Sequence, residues 1–228
     1  MAAACALACA APQLAWAAGD ADPILAEINF ARAHPQDYAL ALMLQPVSDW
    51  EQALGPDGPA ADAAARDEAI DFLLRQAPLP PLTLDADLSA AALEHVADQG
   101  AAGKVGHDGP AGEAFDARIR RHGVAADLAA ENIAYGPSRA YDVVRELIID
   151  SGVASRGHRR NLFHDGLQSA GVACGPHRDY GAMCVMDFAG RPLQAPGWRQ
   201  ASAEPVPAPA GPIRAAQVSG DWVLSRGR

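Results

Sequence analysis

Two histidines and two acids have side chains able to do chemistry and stand in apolar or glycine-rich surroundings: His107 in VGHDG, Glu131 in AAENIA, Asp150 in LIIDSG and His158 in SRGHRRNL. Imidazole exchanges protons near neutral pH and ligates borderline-soft divalent cations, and a carboxylate serves as general base or orients an imidazole. The four together could therefore hold a divalent cation of the Zn²⁺ type or move protons. Spacing does not choose between these tasks, because no HExxH or CxxC puts two ligands on one turn. Asp150 is the most telling by position: Val143, Leu147 and Asp150 share a helical face, with Val144 and Ile148 beside it. Burying an unpaired charge costs several kcal/mol or forces protonation, so a carboxylate on that stripe needs a partner. Arg156, Arg159 or a histidine could supply one. Alternatively, Asp150 ends its helix and accepts loop N–H groups.

Other motifs carry less. No GxGxxG follows a strand, and AAGKVG lacks the Ser/Thr and the upstream glycine of a phosphate loop. VASRG has valine where a nucleophile elbow at Ser155 needs its first glycine, and no strand leads into it. His95 lies with Leu88 and Ala92 on one face of a helix and reads as a core histidine, while His34, His122, His164 and His177 have no pattern behind them.

The elements that must position these residues are mostly helical at the start of the chain. Ile24, Leu25, Ile28 and Ala31 keep helical spacing up to Pro35, and Tyr38, Ala41 and Leu42 resume it, so two helical pieces are expected. SDWEQALGPDGPAADAA reads as an excursion rich in turn formers. EAIDFLLRQA returns to helix, and LSAAALEHVADQG forms another that stops at Gly100, leaving His107 in a glycine-rich loop. FDARIRRHG is a short amphipathic helix ended by Gly123, and AENIAYG gives way at Gly136 and Pro137 to a helix in SRAYDVVRELIID. SAGVAC and CVMDFAG then read as two strands around the loop GPHRDYGAM. Helix early and sheet late is an α+β pattern, not an alternating βαβ one.

Cys174 and Cys184 close and open those strands and are expected to be bridged, the alternative being two buried thiols. A bridge is compatible with an oxidising compartment. The opening MAAACALACAAPQLAWAAGD is small and apolar, with its first charged side chain at Asp20, so residues 1–19 read as a secretory signal peptide. Cys5 and Cys9 fall inside it. Its apolar run is shorter than the ~20 residues of a bilayer crossing. QASAEPVPAPAGP lies in a Pro/Ala-rich linker and C-terminal tail over 196–228, whose VSGDWVLSRGR either adds an edge strand or frays. With 228 residues, half of them hydrophobic, one globular domain over 22–195 is expected. The formal net charge of −10, without a long basic run, argues against a nucleic-acid surface.

Taken in order, ILAEINFAR, LSAAALEHVADQG, the GH at His107, AENIAYG, SRGHRRNLF, GVACG and CVMDFAG resemble the CAP superfamily, and most of all its bacterial branch, over residues 22–191. That superfamily comprises the cysteine-rich secretory proteins, antigen 5 and pathogenesis-related proteins, with an SCP-like extracellular domain. The resemblance implies a three-layer α-β-α sandwich with a mainly antiparallel central sheet and a cleft lined by His107, Glu131, Asp150 and His158. The family's fourth acid is a glutamate three residues after a tryptophan; here Leu147 and Asp150 occupy those positions. His107 and His158 would then be direct ligands of a bound Zn²⁺ or other divalent cation, with Glu131 and Asp150 orienting them. Gly157 and its loop would let His158 turn into the cleft, Arg156, Arg159 and Arg160 would offset carboxylates or face solvent, and Asn161 would tie the loop to backbone. The leading expectation is a secreted or periplasmic monomer binding a lipid, sterol or other small molecule, with enzymatic activity left open. Two alternatives stand beside it: a metal-assisted, peptidase-like hydrolase with Glu131 or Asp150 as general base, and a non-catalytic extracellular interaction module.

Overall fold

The computed structural model describes residues 22–45, 63–193, 214–218 and 221–225. The expected signal peptide, residues 46–62 with most of the excursion, and the linker at 194–213 lie outside the described residues.

Helix α1 (Pro23–Ala33) starts where Asp22 Oδ1 accepts from the backbone N–H of Ile24 and Leu25 at 2.8 and 3.3 Å, with Pro23 in its first turn. Pro35 has no N–H to continue that helix, so it opens α2 (Pro35–Leu44), the break its position predicts. Helix α3 (Ala63–Arg75) and the two-residue strand β1 (Thr83–Leu84) follow. Helix α4 (Ala86–Ala102) is capped by Asp85, which accepts from Asp87 and Leu88, and ends at the left-handed Gly103. Then come α5 (Phe115–Arg121), β2 (Leu128–Tyr135), α6 (Ala140–Ile149), α7 (Gly157–Leu162), β3 (Ser169–His177), β4 (Gly181–Ala189), β5 (Arg214–Val218) and β6 (Asp221–Ser225).

The strands form one sheet in the order β1-β3-β4-β2-β6-β5, parallel only between β1 and β3. Strand β2 is central to the domain but has no alternating pattern in its sequence. It is buried on both faces, so alanine and isoleucine face helices on either side and the period of two is hidden. Its odd residues Ala129 and Ile133 pack with Leu88, Phe115, Ala92 and Val96 of α4 and α5. Its even residues Ala130 and Ala134 pack into the larger core with α1, α2, α3 and α6. Helices thus cover both faces of the sheet, giving the expected α-β-α sandwich.

Two details correct the sequence reading. Gly100 does not stop α4 but lies inside it, where a Cβ would stand 2.3 Å from the Pro176 carbonyl oxygen, so its role is close helix–sheet approach. SRGHRRNL is not a loop: its second part forms α7, and the left-handed residue at its start is Arg156 (φ 51°), not Gly157. The expected disulfide joins Cys174 and Cys184, which face each other directly across β3 and β4.

Candidate site with two histidine–carboxylate pairs

The first pair is built by the end of α6 and the start of α7. Asp150 leaves α6 in the left-handed region (φ 56°), which an aspartate tolerates better than most residues. From there its Oδ2 accepts from the backbone N–H of His158 and Arg159 at 2.9 and 3.3 Å, and its Oδ1 lies 2.7 Å from His158 Nδ1. The carboxylate therefore caps α7 and partners a histidine at once, so both readings of its position hold. The two neighbouring arginines serve another acid: Arg156 and Arg159 reach Glu68 at 2.9 and 3.0 Å, and Arg159 also donates to the Ile148 and Ile149 carbonyls. Arg160 faces solvent. Asn161 Nδ2 meets Asn132 Oδ1 at 2.9 Å, and Asn132 Nδ2 donates to the His158 carbonyl at 3.1 Å, so α7 is fastened to β2.

The second pair lies on the α4 and α5 side of the sheet. The loop after α4 is held by its backbone: Gly106 N–H donates to Tyr135 Oη at 2.9 Å, and the Gly106 carbonyl accepts from His95 Nε2 and Gln99 Nε2 at 2.9 and 2.8 Å. His107 Nδ1 then sits 2.8 Å from Glu131 Oε1. Arg118 donates to Glu131 Oε2, to His95 Nδ1 at 2.9 Å and to the His107 carbonyl at 3.2 Å. Across the ladder Glu131 is paired with Asp187 of β4. Asp187 is fully buried, and neither of its oxygens makes a well-formed hydrogen bond.

Burial dominates the electrostatics here. It raises the Glu131 carboxyl, against the opposing pull of the Arg118 charge. It pushes Asp187 well above the usual carboxylate range, and the neighbouring Glu131 adds to that. Burial and then the Arg118 charge lower His95 to about 4, so it stays a neutral core histidine.

Arg118 and Asp187 are the site residues that the sequence reading did not single out. A signal for each exists: Phe115, Arg118 and Ile119 share the buried face of α5, which separates Arg118 from Arg120 and Arg121. Asp187 is a lone acid in the apolar run CVMDFA.

Structure thus brings His107 to Glu131 and His158 to Asp150, and fastens the two pairs to successive residues of β2, Glu131 and Asn132. The imidazoles keep some solvent contact, with side chains 8% and 17% exposed, whereas the carboxylates are at 0% and 1%. Among the described residues no three His, Cys, Asp or Glu side chains converge into a cation site made of protein ligands alone.

The model of CAP, the cysteine-rich secretory protein family, matches residues 25–188. The chain belongs to the CAP family. Two solved structures are similar to this CAP chain. One is an extracellular protein containing an SCP domain from Bacillus anthracis str. Ames, at 26% identity and TM-score 0.42, covering 50% of this chain and 35% of that protein. The other is an outer surface protein of Borrelia burgdorferi, at 17% identity and TM-score 0.43, covering 68% and 95%. The chain therefore spans only about a third of the Bacillus protein's length, 35%. No curated protein matches it. No helix among the described residues is long and apolar enough to cross a membrane.

Proposed function

We propose that this CAP protein works outside the cytoplasm and binds a small-molecule or lipid ligand through His107 and His158. One observation carries the reading: each imidazole has its Nδ1 against a carboxylate that is buried and already engaged, an arrangement that fixes the ring and directs Nε2 as the binding nitrogen. Secretion is supported by membership of a family named for secretory proteins and by the Cys174–Cys184 bridge.

Two imidazoles, with no third protein donor converging on them among the described residues, could serve a divalent cation only as an open site. His107 and His158 would hold it, and water or ligand atoms would complete the coordination, because Glu131 and Asp150 spend both oxygens on His107, Arg118, His158 and the α7 backbone. When bound, such a cation would supply Lewis acidity toward a ligand oxygen. In the hydrolase reading Glu131 or Asp150 would have to give up one of these contacts to take a proton from water. In the proposed role each acid positions its imidazole.

Native mass spectrometry of the full chain without an affinity tag tests the proposal, with Zn²⁺ titrated into wild type, His107→Ala and His158→Ala. We expect a copurified ligand or Zn²⁺ adduct in wild type, weakened at least tenfold in both variants while circular dichroism shows them folded. Equal adducts in all three proteins, or none in any, would remove the proposal.

A further inference from the structure

We infer that Arg118 is a positioning residue for His107: its guanidinium clamps Glu131 so that His107 keeps its ring proton on Nδ1 and offers Nε2 as an acceptor. This deepens the proposed function and rests on His107 as the binding group.

The geometry starts from what a guanidinium can do. It has five N–H donors in a planar fork and accepts nothing. Arg118 is fully buried on α5, with its guanidinium carbon 5.5 Å from the Phe115 ring centroid, so few orientations are open to it. Because Nη1 donates to His95 Nδ1 at 2.9 Å, that nitrogen must be the acceptor, and the His95 proton lies on Nε2, which donates to the Gly106 carbonyl. His95 thereby fixes one edge of the fork. Nη2 holds Glu131 Oε2, leaving Oε1 aimed at His107 Nδ1 at 2.8 Å. Nη1 also reaches the His107 carbonyl at 3.2 Å, so the same guanidinium holds both the backbone of His107 and the acceptor of its ring.

Asp187 makes the clamp necessary. It stands opposite Glu131 on the sheet, buried and without a well-formed hydrogen bond of its own. Two adjacent buried carboxyls cannot both stay charged, so Asp187 keeps its proton and Arg118 is the cation that balances and orients the charge left on Glu131. With the fork removed, Oε2 loses its donor and the carboxylate can turn away from the imidazole. A neutral imidazole without a fixed acceptor divides its proton between both nitrogens.

The test reads that proton directly. Long-range ¹H–¹⁵N correlation spectra of the ¹⁵N-labelled full chain, above ~pH 7.5 where a free imidazole is neutral, separate the two tautomers of each histidine, with His107→Ala assigning the signal. Wild type is expected to show His107 protonated on Nδ1 alone. Arg118→Met is expected to lose that single tautomer, and Arg118→Lys, which keeps the charge without the planar fork, to give a mixture between the two. A wild-type His107 carrying its proton on Nε2 would overturn the inference, as would a wild-type His107 pattern in either folded variant. Should R118M fail to fold, wild type and R118K decide. No ligand is present in this measurement, so a missing adduct sinks only the proposed function, whereas an unchanged tautomer sinks only the role of Arg118.

Discussion

A buried acid that faces a second buried carboxyl, as Asp187 faces Glu131, makes the folded state sensitive to pH. Its carboxyl is raised well above the usual range by burial and by Glu131. In the unfolded chain the same group releases its proton near pH ~4, so above that pH folding must take a proton up. The contribution is complete below the unfolded value and is lost as pH rises toward the folded one, at about 1.4 kcal/mol per pH unit for one proton. Asp187→Asn carries no ionisable group, and its amide can still donate to Glu131. The variant is therefore expected to match wild type near pH ~4 and to exceed it by on the order of 1–3 kcal/mol at neutral pH. Urea denaturation across that range checks this, and parallel stability curves for the two proteins would show that Asp187 takes up no proton on folding.

At the scale of elements, one residue joins α6 to α7. Asp150 accepts from the His158 and Arg159 N–H groups in the first turn of α7 and from His158 Nδ1, while itself standing at φ 56°. Asp150→Ala removes the cap and keeps the unfavourable backbone, so a loss of about 2–4 kcal/mol is expected from capping and left-handed strain together. Asp150→Asn keeps a capping oxygen and tolerates that backbone, so it should lose about 1 kcal/mol; chemical denaturation gives both values. Equal losses in the two variants would assign the whole effect to the lost carboxylate contact with His158. Such joints explain what the sequence makes legible. Helices α1, α2 and α4 and the β3–β4 hairpin follow from period, proline and glycine, because their signals are local. Strand β2 does not, since burial on both faces erases alternation. The four site residues stand out by type, but that His107 meets Glu131 and His158 meets Asp150 is a tertiary fact, as is the use of Arg156 and Arg159 on Glu68. Gly100 misleads for the same reason: a helix-ending residue by propensity, it is required by the carbonyl packed against it.

For the whole molecule, the open matter is how much of the chain the site needs. Every buried hydrophobic residue of the described core falls between Ile24 and Ala189, and the family match ends at residue 188. Yet β6 pairs along Leu128–Glu131, and β5 lies outside it, so the C-terminal strands cover the outer edge of the strand that carries Glu131. A chain ending at Leu193 keeps every residue of that described core and should fold. It also turns the first half of β2 into an exposed edge, with unpaired N–H and C=O groups where ladder bonds stood. At about 1 kcal/mol for each net hydrogen bond, that loss amounts to a few kcal/mol and a lower melting temperature. Hydrogen exchange gives the sharper reading, because protection should fall at the amides of Leu128–Glu131 that bond β6 and persist at those of Ala129–Tyr135 that bond β4, whose pairing is untouched. Unchanged exchange along Leu128–Glu131 would mean that the C-terminal strands do not cover this edge in solution. Collapse of the whole truncated chain would instead make them part of the folding unit, with the His107–Glu131 pair dependent on residues outside the family match.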